Sequence, residues 1–382
     1  MDKAVTTIHP LLDRDKQIKA RRYEKEKRLF GLAENAAGLV FLTLFYFSGL
    51  SSRLAQIEAG GMVGHFAVYA AALYCLFSIW QLPLGFFRGY VHEHRWGFSN
   101  QTLRAWAGDE FKNFLVGLVI SVIVLVIFLL LMTFNPEMWW LTAALMMSAL
   151  SVIFVTLMPV VIMPIFNRYE PIENPELTGV LEKILRREGL RSSGFIEEDM
   201  SRQTKKENAF LAGLGKTRRV VLGDNLIRGM QIPEIAAIIA HEVGHYRFKH
   251  IWKGLAWTAV RQPAIFFLFD RLMRVLVPGF LTSVPATLTL FPVMAVILSV
   301  ISGAVFSPLG NALSRFFEKQ ADLYALGAVE DKRAFTTALA GLADRNLANA
   351  YPPWWVKLLY YSHPPIGERL SLADEFIARL HT

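Results

Sequence analysis

The run Phe114–Phe134, FLVGLVISVIVLVIFLLLMTF, contains no charged residue, and Ser121 and Thr133 are its only polar side chains. As a helix it would extend about 31 Å, matching a bilayer hydrocarbon core of ~30 Å. Working outward, Phe30–Leu50, Val63–Phe87 and Trp139–Phe166 reach the same length, and Ala286–Leu309 is equally clear. Gly254–Phe280 is a poorer sixth block, interrupted by Arg261, Asp270, Arg271 and Arg274. Of 382 residues, 53% are hydrophobic and 19% charged, with a mean hydropathy of +0.35. A soluble chain carries about 25% charge. This composition excludes a purely soluble enzyme, a disordered chain and a nucleic-acid binder. The single cysteine, Cys75, lies inside an apolar block, can form no intrachain disulfide and reads as inert packing.

The net charge of +8 gathers between the apolar blocks, as expected beside an anionic cytoplasmic leaflet. Lys16, Lys19, Arg21, Arg22, Lys25, Lys27 and Arg28 precede the first block, so a basic tail over 1–29 is expected in the cytoplasm. That block starts too far along the chain for a secretory signal and lacks a small-residue cleavage site. Connection 51–62 carries one basic residue and 135–138 none, whereas 88–113 carries Arg88, Arg95, Arg104 and Lys112. Four spans over 30–166 therefore return the chain to the cytoplasm. A polar segment at 167–253, two further spans at 254–309 and a C-terminal part at 310–382 complete the expected organisation. Both termini are then cytoplasmic. Within the polar segment, Asn174–Gly189 has the spacing of an amphipathic helix, Arg218–Leu222 reads as a strand, and Pro233 opens a second helix. The expected fold is an α-helical polytopic membrane protein of about six spans with a small cytoplasmic α+β domain.

The second helix carries His241-Glu242-Val243-Gly244-His245. Histidines at i and i+4 share a helix face and can hold one metal ion, and the intervening glutamate can take a proton from a metal-bound water. Position 251 is isoleucine, so no third histidine follows at the metzincin spacing. The best third ligand is Glu318, on a polar stripe with Asn311, Arg315 and Asp322 at i, i+4, i+7 and i+11. Glu318 and the histidines must meet on one side of the membrane. Ala286–Leu309 crosses once, so Gly254–Phe280 must cross too, with its charges near the ends or turned inward. Near the C-terminus, His363 and Arg369 stand six apart and could both donate to a tetrahedral intermediate.

With these residues in hand, the chain resembles the type I CAAX prenyl proteases, integral membrane zinc metalloendopeptidases of the gluzincin kind, and more distantly HtpX-like proteases. The likeness runs from about Phe30 to Arg369. Its pieces are His94-Arg95-Trp96-Gly97-Phe98-Ser99-Asn100-Gln101-Thr102, Pro164-Ile165-Phe166-Asn167, Asn208-Ala209-Phe210, the His241–His245 helix, Glu318–Asp322 and His363–Arg369. The resemblance implies one zinc ion on His241, His245 and Glu318, Glu242 as base, and Asp322 orienting a ligand from behind. It implies His363 and Arg369 at the oxyanion or substrate carbonyl, and Asn208-Ala209-Phe210 as the edge strand along which a peptide pairs. It also implies a water-filled chamber between the helices, with which Glu34, Asn35 and Gln81 are compatible. The eukaryotic enzymes start with one further span. Here a basic tail stands in its place, which implies a shorter, bacterial member in the inner membrane, or an endoplasmic reticulum protein in a eukaryote. Ser201–Glu207, approaching Asn208, is divergent and charged, so the groove preference is expected to differ.

The expected activity is peptide hydrolysis at the cytoplasmic face, on a peptide or protein that is lipidated or membrane-associated. Two alternatives stand beside it. A membrane di-iron oxygenase needs several histidine clusters, whereas His92 and His94 stand at i, i+2, wrong for one metal on one helix face. A scaffold that keeps zinc only for folding has no use for Glu242.

Overall fold

The structure, a computed structural model, describes residues 8–190, 194–212, 219–277 and 280–380, apart from the side chains of 159 and 160. Asp13 caps α1 (Arg14–Phe47) by accepting from the amides of Asp15 and Lys16. At 34 residues α1 is about 51 Å long, well beyond the bilayer core. The basic stretch expected as a tail is therefore the first half of this helix. It is docked rather than loose: Gln17, Ala20 and Tyr23 are buried.

After the short α2 (Leu50–Leu54), α3 (Gly61–Phe86) runs through a π-helical turn, Phe87–His92, into α4 (Glu93–Arg95). Thr102 caps α5 (Leu103–Phe134), which is followed by α6 (Trp139–Leu157), a π-helical turn at Met158–Ile162 and α7 (Met163–Phe166). Each of these blocks becomes helical because a chain in hydrocarbon must satisfy every amide within itself.

The polar segment opens with β1 (Tyr169–Pro171) and α8 (Pro175–Arg187), which Asn174 caps. Then come β2 (Phe195–Glu198), β3 (Ala209–Ala212), β4 (Arg219–Gly223), α9 (Asp224–Gly229) and α10 (Ile232–Arg247). Arg218, with which the expected strand began, lies outside the described residues. The sheet order is β1-β2-β4-β3, with β2 parallel to β4 and the other pairs antiparallel. Phe210 faces Val221 across the last pair, and β3 forms an edge of this sheet.

The chain then enters α11 (His250–Leu276), α12 (Val284–Val300), a π-helical turn at Ile301–Phe306 and α13 (Ser307–Ala328). Among the described residues, five helices are long and apolar enough to cross a membrane: α1, Gly61–Arg95, α5, α6 and Val284–Ala328. The charges of α11 keep it out of that set, and its packing explains them. Asp270 is fully buried, accepting from Trp139 Nε1 at 2.7 Å and Arg274 Nε at 2.9 Å. The other side is bare, with Val260 69% and Val275 80% exposed, as suits a lipid-facing helix. Candidate spans thus number five to six.

The last helices, α14 (Lys332–Arg345), α15 (Trp354–Tyr360) and α16 (Ile366–Arg379), close over α10 and α13. Leu181, Leu185, Leu222, Ile239, Val243, Leu326, Phe335 and Leu370 share one core, so segments on both sides of the α11–α12 hairpin build a single domain.

Candidate metal centre and active site

Gln231 and Glu234 close a capping box at the start of α10 (Gln231 N to Glu234 Oε2, 2.9 Å), with proline in the first turn. The apolar face of α10, Ile235, Ile239, Ala240 and Val243, enters the domain core and carries His241 inward. At Gly244 a Cβ would stand 3.0 Å from Ala321 Cα and 3.1 Å from Tyr324 Cδ1. A side chain there would have to push Ala321 or Tyr324 back by a few tenths of an ångström. This close approach of α10 and α13 sets Glu318 opposite both histidines.

His241 Nε2 lies 3.3 Å from Glu318 Oε2, and His245 Nε2 lies 3.3 Å from Glu318 Oε1. The two Nε2 atoms are 3.1 Å apart, and one ligand atom from each of the three residues falls within 4.8 Å of the others. Behind them, His241 Nδ1 lies 2.8 Å from Asp322 Oδ1. Arg369 donates to the same carboxylate through Nε (2.9 Å) and Nη2 (2.6 Å). Burial alone would lower the His241 pKa, but the Asp322 and Glu318 carboxylates outweigh it and push it up to about 9. The site draws a cation.

The donor chemistry fits a metal ion. Once a metal ion displaces the second proton of His241, its Nδ1 proton stays on Asp322 and its Nε2 lone pair faces His245 Nε2 and a carboxylate. Glu318 Oε2 is buried with no well-aligned hydrogen bond. Acceptors converging on one point are stable only around a cation.

Glu242 is half-buried next to His241 and makes no hydrogen bond or ion pair among the described residues. His363, with 62% of its side chain exposed, stands at the mouth with Nδ1 2.8 Å from Glu318 Oε2. Arg369, expected beside it at the oxyanion, is instead nine-tenths buried, with its guanidinium on Asp322. Ala209 and Phe210 lie on β3, which packs against α10, and Asn208 accepts from Gly223 N at 2.9 Å, continuing the pairing with β4.

The segment His94–Thr102 finds its role beside this strand. Lys205 N donates to Phe98 O (2.9 Å), Asn100 N to Gln203 O (3.0 Å) and Asn100 Nδ2 to Ser201 O (2.8 Å). Lys206 Nζ meets Glu93 Oε2 (2.6 Å) and Tyr23 OH (2.7 Å), tying the charged approach to α1. Sequence reasoning missed His250 altogether. It follows a break in helical periodicity at Lys249 (φ 55°), so no regular spacing links it to His245. Among the described residues, His241, His245 and Glu318 form the only group of three close metal-ligating side chains. Both ring nitrogens of His94 bind backbone carbonyls, of Tyr90 (2.7 Å) and Gln101 (2.9 Å), which leaves the di-iron reading without a second cluster.

Fold and site together define a membrane-embedded metalloprotease with a His-Glu-x-x-His helix and a glutamate third ligand. Residues 171–377 match Peptidase family M48, and residues 3–168 match the family described as CAAX prenyl protease N-terminal, five membrane helices. The described part of 3–168 contains four long apolar helices. The chain belongs to peptidase family M48 and is a multi-pass membrane metalloendopeptidase of the CAAX prenyl protease kind. It is similar to an uncharacterised metalloprotease, YhfN, of Bacillus subtilis, at 31% identity over 77% of this chain and 70% of that one. It is also similar to CAAX prenyl protease 1 of Saccharomyces cerevisiae, at 29% identity over 80% of this chain and 71% of that one. The crystal structure of Ste24p from S. mikatae shares the fold, with a TM-score of 0.84, 24% identity, and coverage of 98% of this chain and 91% of that one.

Proposed function

We propose that this protein is a zinc endopeptidase that cuts membrane-associated or lipid-bearing polypeptides on the cytoplasmic side of the bilayer. The observation that carries this reading is the Glu242 carboxylate. It makes no hydrogen bond or ion pair among the described residues, and it stands one residue from a metal ligand on a helix packed against edge strand β3. A zinc ion held by His241, His245 and Glu318 would supply Lewis acidity, polarising the scissile carbonyl and acidifying water near neutral pH.

The remaining steps fall to the chain. An extended substrate pairs its backbone with Ala209–Ala212, which fixes the scissile bond relative to α10. Glu242 takes a proton from the attacking water on a carboxylate oxygen as the new C–O bond forms, then delivers it to the departing amide nitrogen. His363, exposed at the mouth, donates toward the carbonyl oxygen as negative charge gathers there. Arg369 does not touch substrate in this reading; it positions Asp322, which holds the Nδ1 proton of His241.

Prenylated C-terminal peptides are candidate substrates because the similar yeast protein is named for them, and unmodified membrane proteins are the other candidates. Purified protein, with zinc quantified in the same sample, should be assayed on farnesylated and unmodified versions of one peptide. Cleavage requiring zinc is expected, and faster cleavage of the farnesylated form identifies a lipid-reading site. A zinc-free preparation with full activity would overturn the metal assignment.

Orientation follows from the basic connections, and the inner membrane of a bacterium, or the endoplasmic reticulum of a eukaryote, suits it. Reporters fused after Met138 or Phe280 are expected outside, and reporters at residue 200 or the C-terminus in the cytoplasm. An outside signal at residue 200 would reverse the compartment of proteolysis.

A further inference from the structure

His250 begins α11 one residue after a left-handed turn at Lys249 (φ 55°), a conformation that non-glycine residues seldom adopt. The turn reverses the chain and brings the His250 imidazole back over the end of α10. Its Nδ1 lies 3.0 Å from His245 Nδ1, and its Nε2 lies 3.0 Å from Gln320 Oε1. The ring stacks on Phe317 with centroids 4.4 Å apart and planes 11° apart. Only 5% of the residue is exposed.

With a metal ion at the site, these contacts fit one placement of protons. His245 turns Nε2 toward His241 Nε2 and Glu318, so with a metal ion held there its lone pair lies on Nε2 and its proton on Nδ1. That proton points at His250 Nδ1, which must therefore accept. The proton of His250 then sits on Nε2, where it meets the amide oxygen of Gln320. Every donor has an acceptor, and the relay ends on a neutral group.

We propose that His250 is the positioning residue of His245: it accepts the Nδ1 proton, fixes the ligating tautomer and aims Nε2 at the metal, while Gln320 fixes the tautomer of His250. This inference rests on reading the site as a zinc centre. The two histidine ligands are then supported unequally. His241 has an anionic acceptor, Asp322, whose charge Arg369 balances, whereas His245 has a neutral one. A single turn and a half of α13 supplies the stacking surface (Phe317), a ligand (Glu318), the terminal acceptor (Gln320) and the anionic partner (Asp322). Because His250 is the first residue of α11, the aim of His245 is tied to the seating of a membrane helix.

Two substitutions separate positioning from packing. His250→Phe keeps an aromatic ring on Phe317 but offers no acceptor. His250→Asn loses the ring yet places an amide oxygen near the position of Nδ1. The readouts are zinc retention against a competing chelator and the visible absorption spectrum of the cobalt(II)-substituted protein, with thermal unfolding as the check on folding. His250→Phe is expected to weaken zinc binding by roughly 10–100-fold and to alter the cobalt spectrum, as loss of an outer partner of a metal-bound histidine commonly does. His250→Asn should restore most of the affinity and the parent spectrum. A packing role demands the reverse order, and that order would overturn the proposal. So would parent-like affinity in His250→Phe. Should the phenylalanine variant fail to fold, Gln320→Leu carries the test, with a smaller loss of affinity expected and an unchanged affinity overturning it. A parent protein that retains no zinc fails the zinc-centre reading instead, which keeps the two failures apart.

Discussion

Glu242→Gln should leave zinc content and thermal unfolding close to the parent while peptide cleavage falls by at least ~100-fold, the usual size of general-base catalysis. The substitution preserves shape and hydrogen-bonding capacity and removes only the ability to accept a proton. Glu242 is not among the three converging ligands, and it makes no hydrogen bond or ion pair among the described residues that the amide would break. Stability therefore has little reason to change. Single-turnover cleavage of a fluorogenic peptide, with metal analysis of the same sample, makes the measurement. Cleavage at the parent rate would remove Glu242 from the mechanism. Loss of zinc together with activity would point to a structural role. A parent that cleaves nothing across a wide peptide library would bring forward the scaffold reading.

The second large effect lies behind the ligands. Asp322 is fully buried and is bound by both His241 Nδ1 and the Arg369 guanidinium. Asp322→Ala strands a buried guanidinium and should cost about 3–5 kcal/mol of stability, the usual penalty for breaking a buried ion pair from one side. It should also weaken zinc binding by roughly 10–100-fold, because His241 loses the acceptor that holds its tautomer. Replacing both partners separates these effects. In Asp322→Ala/Arg369→Met no charge is left unpaired, so most of the stability should return, as it does when buried pairs give way to apolar groups. Zinc affinity should stay low, since His241 Nδ1 still lacks its acceptor. Chemical unfolding in detergent and chelator competition read the two quantities separately. Full recovery of zinc affinity in the double variant would show that Asp322 serves only to neutralise Arg369.

Chain connectivity reaches further than hydropathy at α11. Its hydropathy is spoiled by Arg261, Asp270, Arg271 and Arg274, and hydropathy alone leaves it out. The requirement that His245 and Glu318 meet on one side of the membrane brings it in. The structure supplies the physical compensation, with Asp270 satisfied by Trp139 and Arg274 inside the bundle. The first 29 residues went the other way. The charge density of that stretch reads as a tail, yet residues 14–29 begin a helix whose buried face bonds to partners more than 300 positions away, such as Gln17 Nε2 to Asp344 Oδ1 at 3.1 Å. A lone Gln and Tyr on a basic helix carry no pattern that announces such a partner.

What the sequence determined by itself is whatever local geometry repeats. Apolar blocks of bilayer length specify helices that cross, and the i, i+4 spacing of His241 and His245 specifies one shared ion with Glu242 beside it. The Glu318 stripe at i+7 and i+4 from its neighbours obeys the same helical period. Only the tertiary structure decided which outer groups hold those ligands. Arg369 turned to Asp322, 47 positions earlier, and His250 turned back on His245 through a left-handed residue that breaks the period. Periodicity encodes which face a side chain shares with its own helix. Whether a buried donor finds its acceptor on another helix depends on how closely the helices pack, and here that distance is set at Gly244 against Ala321.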